Sequence, residues 1–102
     1  PVEIIPLAQG EVTRQLQKLG GQVTLRLAKT TRSDLGQTPS EPFVTDNGGW
    51  ILDVAGLKIA DPVQMESLIN QIAGVITVGL FAKEKANILL VSNASGVSRI
   101  TF

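Results

Sequence analysis

The hydrophobic period of this chain alternates between that of a strand and that of a helix, and the order of the switches limits the folds open to it. Val2-Glu3-Ile4-Ile5 reads as a short strand that Pro6 closes, because proline cannot continue a ladder on both sides. Ala8, Val12, Leu16 and Leu19 then recur at helical spacing, with Glu11, Arg14, Gln15 and Lys18 between them, and Gly20-Gly21 supplies a left-handed C-terminal cap. Val23, Leu25 and Leu27 alternate with Thr24, Arg26 and Ala28, the pattern of a half-buried strand. Asn47-Gly48, between Phe43-Val44-Thr45 and Trp50 to Val54, predicts a hairpin whose two strands pair directly, since both turn positions accept positive φ.

A second helix is expected from Asp61 as N-cap, Pro62 at the first helical position and Gln64 reaching back in a capping box. Met65, Leu68, Ile69 and Ile72 form its expected buried stripe, and Gly74 ends it. Val75 to Leu80 is a nearly continuous apolar run, followed by strand patterns at Asn87 to Val91 and Val97 to Thr101, with turns at Lys83-Glu84-Lys85 and Asn93 to Gly96. The segment from Lys29 to Pro42 is rich in Thr, Ser, Gln, Gly and Pro, has no apolar period and reads as a loop. The order through Phe81 predicts an α+β fold, a ferredoxin-like split βαβ sandwich with an antiparallel sheet and two helices on one face. A C-terminal β-hairpin follows in residues 82–102, and the sequence leaves open whether it extends the same sheet or joins another body.

Composition removes several classes of function. The 102 residues suffice for one main core. Nine basic and nine acidic side chains cancel, so no global field draws in nucleic acid or an anionic membrane. There is no Cys for a disulfide or thiolate, which fits a reducing cytoplasm, and no His for the usual zinc patterns. No apolar stretch approaches the roughly 20 residues of a bilayer span. The chain starts at Pro1, already in a strand pattern, which predicts an upstream part of the protein.

Each polar feature that invites a chemical reading also has a structural one. Asp46 and Asn47 lack the alternating carboxylates and closing Glu of a calcium loop, and turn formation explains both. Asp53 and Glu3, set among apolar strand positions, are either buried acids or outward side chains; Asp53 would then face a basic neighbour such as Lys58 or Arg26. Gly20-Gly21 and Gly48-Gly49 do not have the spacing of phosphate-cradling loops. Arg26, Lys29 and Arg32 form a modest basic cluster on a fold that can bind RNA, but the stacking aromatics are missing, and packing explains Trp50 and Phe43 better. Asn93-Ala94-Ser95 matches a glycosylation sequon, a common chance occurrence.

Several blocks stand in a fixed order: Pro1-Val2-Glu3-Ile4-Ile5-Pro6, Arg14-Gln15-Leu16 with Leu19-Gly20-Gly21, Val44-Thr45-Asp46-Asn47-Gly48 leading to Ile51-Leu52-Asp53-Val54, Asp61-Pro62, and Gly74 through Phe81. Together they resemble the C-terminal half of type A ribose-5-phosphate isomerases. The resemblance implies an aldose-ketose isomerase of the pentose phosphate pathway that interconverts ribose 5-phosphate and ribulose 5-phosphate through an enediol, with no cofactor and no metal. It also implies a cytoplasmic homo-oligomer, with no nucleic-acid or membrane partner, whose sugar phosphate is held by the N-terminal half. The family's catalytic and substrate-binding blocks precede the Pro-Val-Glu segment, so no catalytic, cofactor-binding or metal residue is assigned here, and the fragment alone is expected to be inactive.

What the resemblance places in this chain is a lid domain, residues 1–81, and closing strands, residues 82–102, that return to a main α/β domain. The Lys29 to Pro42 loop is longer than the family's usual connection. If nothing precedes Pro1, the unpaired edges predict a dimer. A competing expectation, from the element order alone, is a free-standing ferredoxin-like module that binds a small molecule between subunits or serves in assembly.

Overall fold

The computed structural model describes residues 1–29 and 41–102. Its first unit is built from β1 (Val2–Ile4), a 3-10 turn at Pro6–Ala8, α1 (Gln9–Lys18), β2 (Gln22–Leu25), β3 (Trp50–Ala55), α2 (Pro62–Asn70) and β4 (Val75–Val78). The sheet order is β2-β3-β1-β4, antiparallel at each pairing, with Val2 opposite Leu52 and Val78 and Val23 opposite Val54. This is the expected split βαβ arrangement. Its core is Val2, Ile4, Leu52 and Val78 from the sheet against Val12 and Leu16 of α1 and Ile69 of α2.

The local signals act as physical chemistry predicts for α1. Val12 and Leu16, four residues apart on one face, are buried, while Glu11 in the first turn and Lys18 in the last complement the helix dipole. Gly20 at φ +95° and Gly21 turn the chain back, with Gly20 N–H donating to Gln17 O at 2.9 Å and Gly21 N–H to Leu16 O at 3.0 Å. On α2, Pro62 occupies the first turn and Asp61 caps it by accepting from Gln64 N at 3.1 Å.

Four expectations need correction. Phe43-Val44-Thr45 is not the hairpin partner of the strand that follows, because both edges of β3 are taken by β1 and β2. The chain instead runs beside the end of β2, where Phe43 N–H donates to Arg26 O at 2.9 Å and Ala28 N–H to Glu41 O at 2.9 Å. Leu27, expected on the core face of a strand, lies past the end of β2 in an isolated bridge to Pro42 and is exposed. Leu68, expected in the buried stripe of α2, is 44% exposed, while Glu66 is buried at 7%. The apolar run from Val75 ends as a strand at Val78, and a bulge between Glu3 and Ile4 of the partner strand interrupts its register.

The hairpin, β5 (Ile88–Asn93) and β6 (Gly96–Thr101), forms a sheet of its own, so it does not extend the four-stranded one. All of its residues are exposed.

Gly74 and Gly20 separate two effects of a glycine at positive φ. A Cβ at Gly74, φ +93°, collides with the Ala8 Cβ, whereas one at Gly20 meets nothing within 4 Å. Gly74→Ala is therefore expected to destabilise by about 3 kcal/mol, combining backbone strain with overpacking, and Gly20→Ala by only about 1 kcal/mol. Urea unfolding of the two variants checks the difference.

Candidate functional site

The face of the sheet away from the helices carries the polar residues, because Glu3, Thr24, Asp53 and Thr77 alternate with the core positions along their strands. Glu3 lies opposite Ile51 and Thr77. Its Oε2 accepts from Thr45 Oγ1 at 2.5 Å and from Asn47 Nδ2 at 3.4 Å, and Gly49 N–H donates to Thr45 Oγ1 at 2.9 Å. Thr45 N–H donates to Gly49 O at 2.8 Å and closes the turn. Asp46, Asn47 and Gly48 thus sit in a turn fastened to β1. The part of Thr45 was not visible in its local sequence, since the bond joins residues 42 positions apart.

Asp53 is the outward acid of the two expected alternatives, and Arg26 is its partner. Arg26 Nη2 lies 2.6 Å from Asp53 Oδ1 and its Nε 2.9 Å from Oδ2, a bidentate fork across two strands. The hydrogen bonds from Arg26, and then its charge, hold the Asp53 carboxyl below its ordinary range; the same bonds raise the Arg26 guanidinium. Trp50 packs against the core and the Arg26 charge is engaged by Asp53, so neither serves a base-stacking surface. Lys29 is exposed, and Arg32 lies outside the described residues.

Glu66 is also engaged: its Oε1 accepts from Ala82 N at 2.8 Å. Neither glycine pair forms a phosphate cradle: Gly20-Gly21 closes a helix and Gly48-Gly49 belongs to the Thr45 turn. In the sequon, Asn93 Oδ1 accepts from Ser95 N at 2.9 Å and Ser95 Oγ at 2.6 Å, and so shapes the β5–β6 turn. Among the described residues no three His, Cys, Asp or Glu side chains converge as metal ligands. A hollow of about 210 Å³ is lined by Val2, Val54, Leu57, Ile69 and Leu80 together with Pro1 and two glycines, and among the described residues no polar or charged side chain lines it.

The hairpin is the other distinctive surface. Cross-strand pairing puts Ile88, Leu90 and Val97 on one face and Leu89, Val91 and Ile100 on the other, all exposed. A strand with apolar side chains on both faces has the pattern of one covered on both sides.

A ferredoxin-like unit in which Glu3, Asp53 and Glu66 are held by hydrogen bonds, followed by a hairpin apolar on both faces, is thus the class of structure the chain presents. Residues 1–96 match the family model of ribose 5-phosphate isomerase A (phosphoriboisomerase A). The chain is 84% identical over 100 residues to ribose-5-phosphate isomerase A of Polynucleobacter asymbioticus and 49% identical over 102 residues to that of Polaromonas sp.. Those matches cover 98% and 100% of this chain but 42% and 40% of the relatives. Among solved structures, ribose 5-phosphate isomerase A from Neisseria gonorrhoeae superposes with a TM-score of 0.77 at 35% identity, over 99% of this chain and 39% of that one. The enzyme from Methanocaldococcus jannaschii gives the same TM-score and identity, over 100% and 40%. The chain belongs to the ribose 5-phosphate isomerase A family, and it spans about two fifths of the length of the relatives it matches.

The Arg26–Asp53 pair generates a pH prediction. The folded-state pKa of Asp53 is lowered, so the pair stabilises the fold above the unfolded carboxyl value of about 4 and is lost as pH falls through the lower folded value. Both side chains are about two fifths exposed, 40% and 44%, and solvent screening limits the effect to about 1 kcal/mol or less. Asp53→Asn should lower stability at pH 7 in low salt and match the parent at pH 2, measured by urea unfolding at both pH values.

Proposed function

We propose that this chain is the C-terminal part of a ribose-5-phosphate isomerase, in which residues 1–81 form a lid and residues 82–102 are closing strands of a main α/β domain. The observation that carries the reading is the family match over residues 1–96, most of the chain. In the reaction a base removes the C2 proton of ribose 5-phosphate and returns it at C1, while the hydroxyl proton at O2 is lost and O1 is protonated, through an enediol. This chain's part is to cover one side of the cleft and to supply contacts between subunits of a cytoplasmic homo-oligomer. The base, the phosphate site and the groups that hold the enediolate charge belong to residues outside it. Glu3, Asp53 and Glu66 support that division, since each already has a partner within the chain.

The test is interconversion of ribose 5-phosphate and ribulose 5-phosphate by the full-length protein and by the 102-residue chain. Turnover by the first and none by the second is expected. Absence of turnover in both sinks the reading, and a small molecule that stabilises the short chain would favour a free-standing binding module.

The closing-strand assignment has its own consequence. Leu89 and Leu90 face opposite sides of β5 and are 41% and 66% exposed in this chain. In the full-length protein each is expected to be covered, so Leu89→Ala and Leu90→Ala should each destabilise it by about 2–4 kcal/mol in urea. A change under about 0.5 kcal/mol for either would show that its face stays in water.

A further inference from the structure

The apolar pattern of α2 points Leu68 inward, yet the helix is turned so that Glu66 is buried instead. A carboxylate in that position needs a strong partner, because burial removes its water. The partner is the backbone N–H of Ala82, 2.8 Å from Oε1 and sixteen positions along the chain. Ala82 follows directly on the end of the lid unit. Residues 80–86 contain no helix or strand. Among the described residues, no other hydrogen bond ties them to the four-stranded unit. Upstream, Gly79 N–H donates to Pro1 O at 2.8 Å and Leu80 packs against the core. Downstream, the next bonded position is Asn87, whose carbonyl accepts from Phe102 N–H at 3.0 Å within the hairpin. Phe81, between Leu80 and Ala82, is 71% exposed.

We propose that Glu66 is a positioning residue that clamps the Ala82 N–H and so sets the direction in which the chain leaves the lid for the hairpin. The inference rests on the assignment of residues 1–81 and 82–102 to lid and closing strands. A hydrogen bond donated to a carboxylate is about twice as strong as one between neutral groups, which suits a single fastening point at the root of an otherwise unbonded connector. Releasing it lets the connector swing, and the lid closes over substrate less often.

The experiment compares Glu66→Met and Glu66→Gln in the full-length protein. Met keeps the volume and removes the strong acceptor, whereas the Gln carbonyl can still accept. Amide exchange at Ala82 is expected to quicken roughly ten- to hundredfold in Glu66→Met and to stay within about threefold of the parent in Glu66→Gln, with β1 and β3 amides unchanged in both. Isomerase assays should show kcat lowered and KM raised together by Glu66→Met and both largely kept by Glu66→Gln. The clamp is overturned if Ala82 exchanges in Glu66→Met as in the parent, or if the two variants behave alike. Should Glu66→Met also loosen β1 and β3, Ala82→Pro decides the matter by deleting the donor: the same kinetic change supports the clamp, and parental kinetics refute it. Ala82 exchange needs no substrate. An inactive parent would therefore end the isomerase reading while exchange still judged the clamp.

Discussion

Burial in the four-stranded unit depends on the antiparallel pairing of β1 with β3. Val2 opposite Leu52 and Ile4 opposite Trp50 put both side chains of each pair on the face that Val12, Leu16 and Ile69 cover. β1 is three residues long, but it has β3 on one side and β4 on the other, so its two apolar side chains are packed from three directions. A slip of β1 by one residue would carry Glu3 into the core and turn Val2 and Ile4 toward water, while Leu52 stayed inward. The same register sets Glu3 on the open face, where it meets Thr45. The turn at Asp46-Asn47-Gly48 closes through its own Thr45–Gly49 bonds, and the register of β1 fixes where it is fastened to the sheet.

Features decided within a few residues were legible in the sequence. α1 with its glycine cap, the Asp61-Pro62 start of α2 and the order of strands and helices all follow from period and capping chemistry. What failed depended on distant neighbours. Asn47-Gly48 does mark a turn, but nothing between Phe43 and Val54 records that β1 and β2 occupy both edges of β3. Leu68 and Glu66 show the same limit on a helix. A periodicity argument ranks Leu68 as the inward residue, whereas Glu66 is the buried one and accepts from the Ala82 N–H, supplied by a segment past β4. The Asp53 partner was visible as one of two candidates because strand alternation places Arg26 and Asp53 on the same face.

The hairpin presents the opposite case, a segment whose local structure is clear and whose surroundings are not. Asn93, Ser95 and Gly96 at φ +130° make its turn, and six cross-strand pairs fix its register. Composition left its attachment open, and the fold answers part of the question, since β5 and β6 pair with each other and not with the four-stranded sheet. Two strands in water are marginal even with good turn chemistry, and these two carry large apolar side chains on both faces. Their composition is that of strands in the interior of a larger sheet.

The pairing of Glu3, Asp53 and Glu66 bears on the proposed role of residues 1–81 as a cover over a phosphorylated substrate. A sugar phosphate carries up to two negative charges, and a free carboxylate brought near it by closure would oppose binding. Glu3 accepts a hydrogen bond from the Thr45 hydroxyl, Asp53 is matched by the Arg26 guanidinium, and Glu66 accepts from the backbone N–H of Ala82 just past the unit. The arrangement keeps these three charges engaged within the fold and their side chains held in place. On the proposed reading, residues 1–81 carry eight acidic against six basic side chains, so a cover of this charge comes near a dianion more easily with Glu3, Asp53 and Glu66 held in bonds of their own than with those carboxylates free.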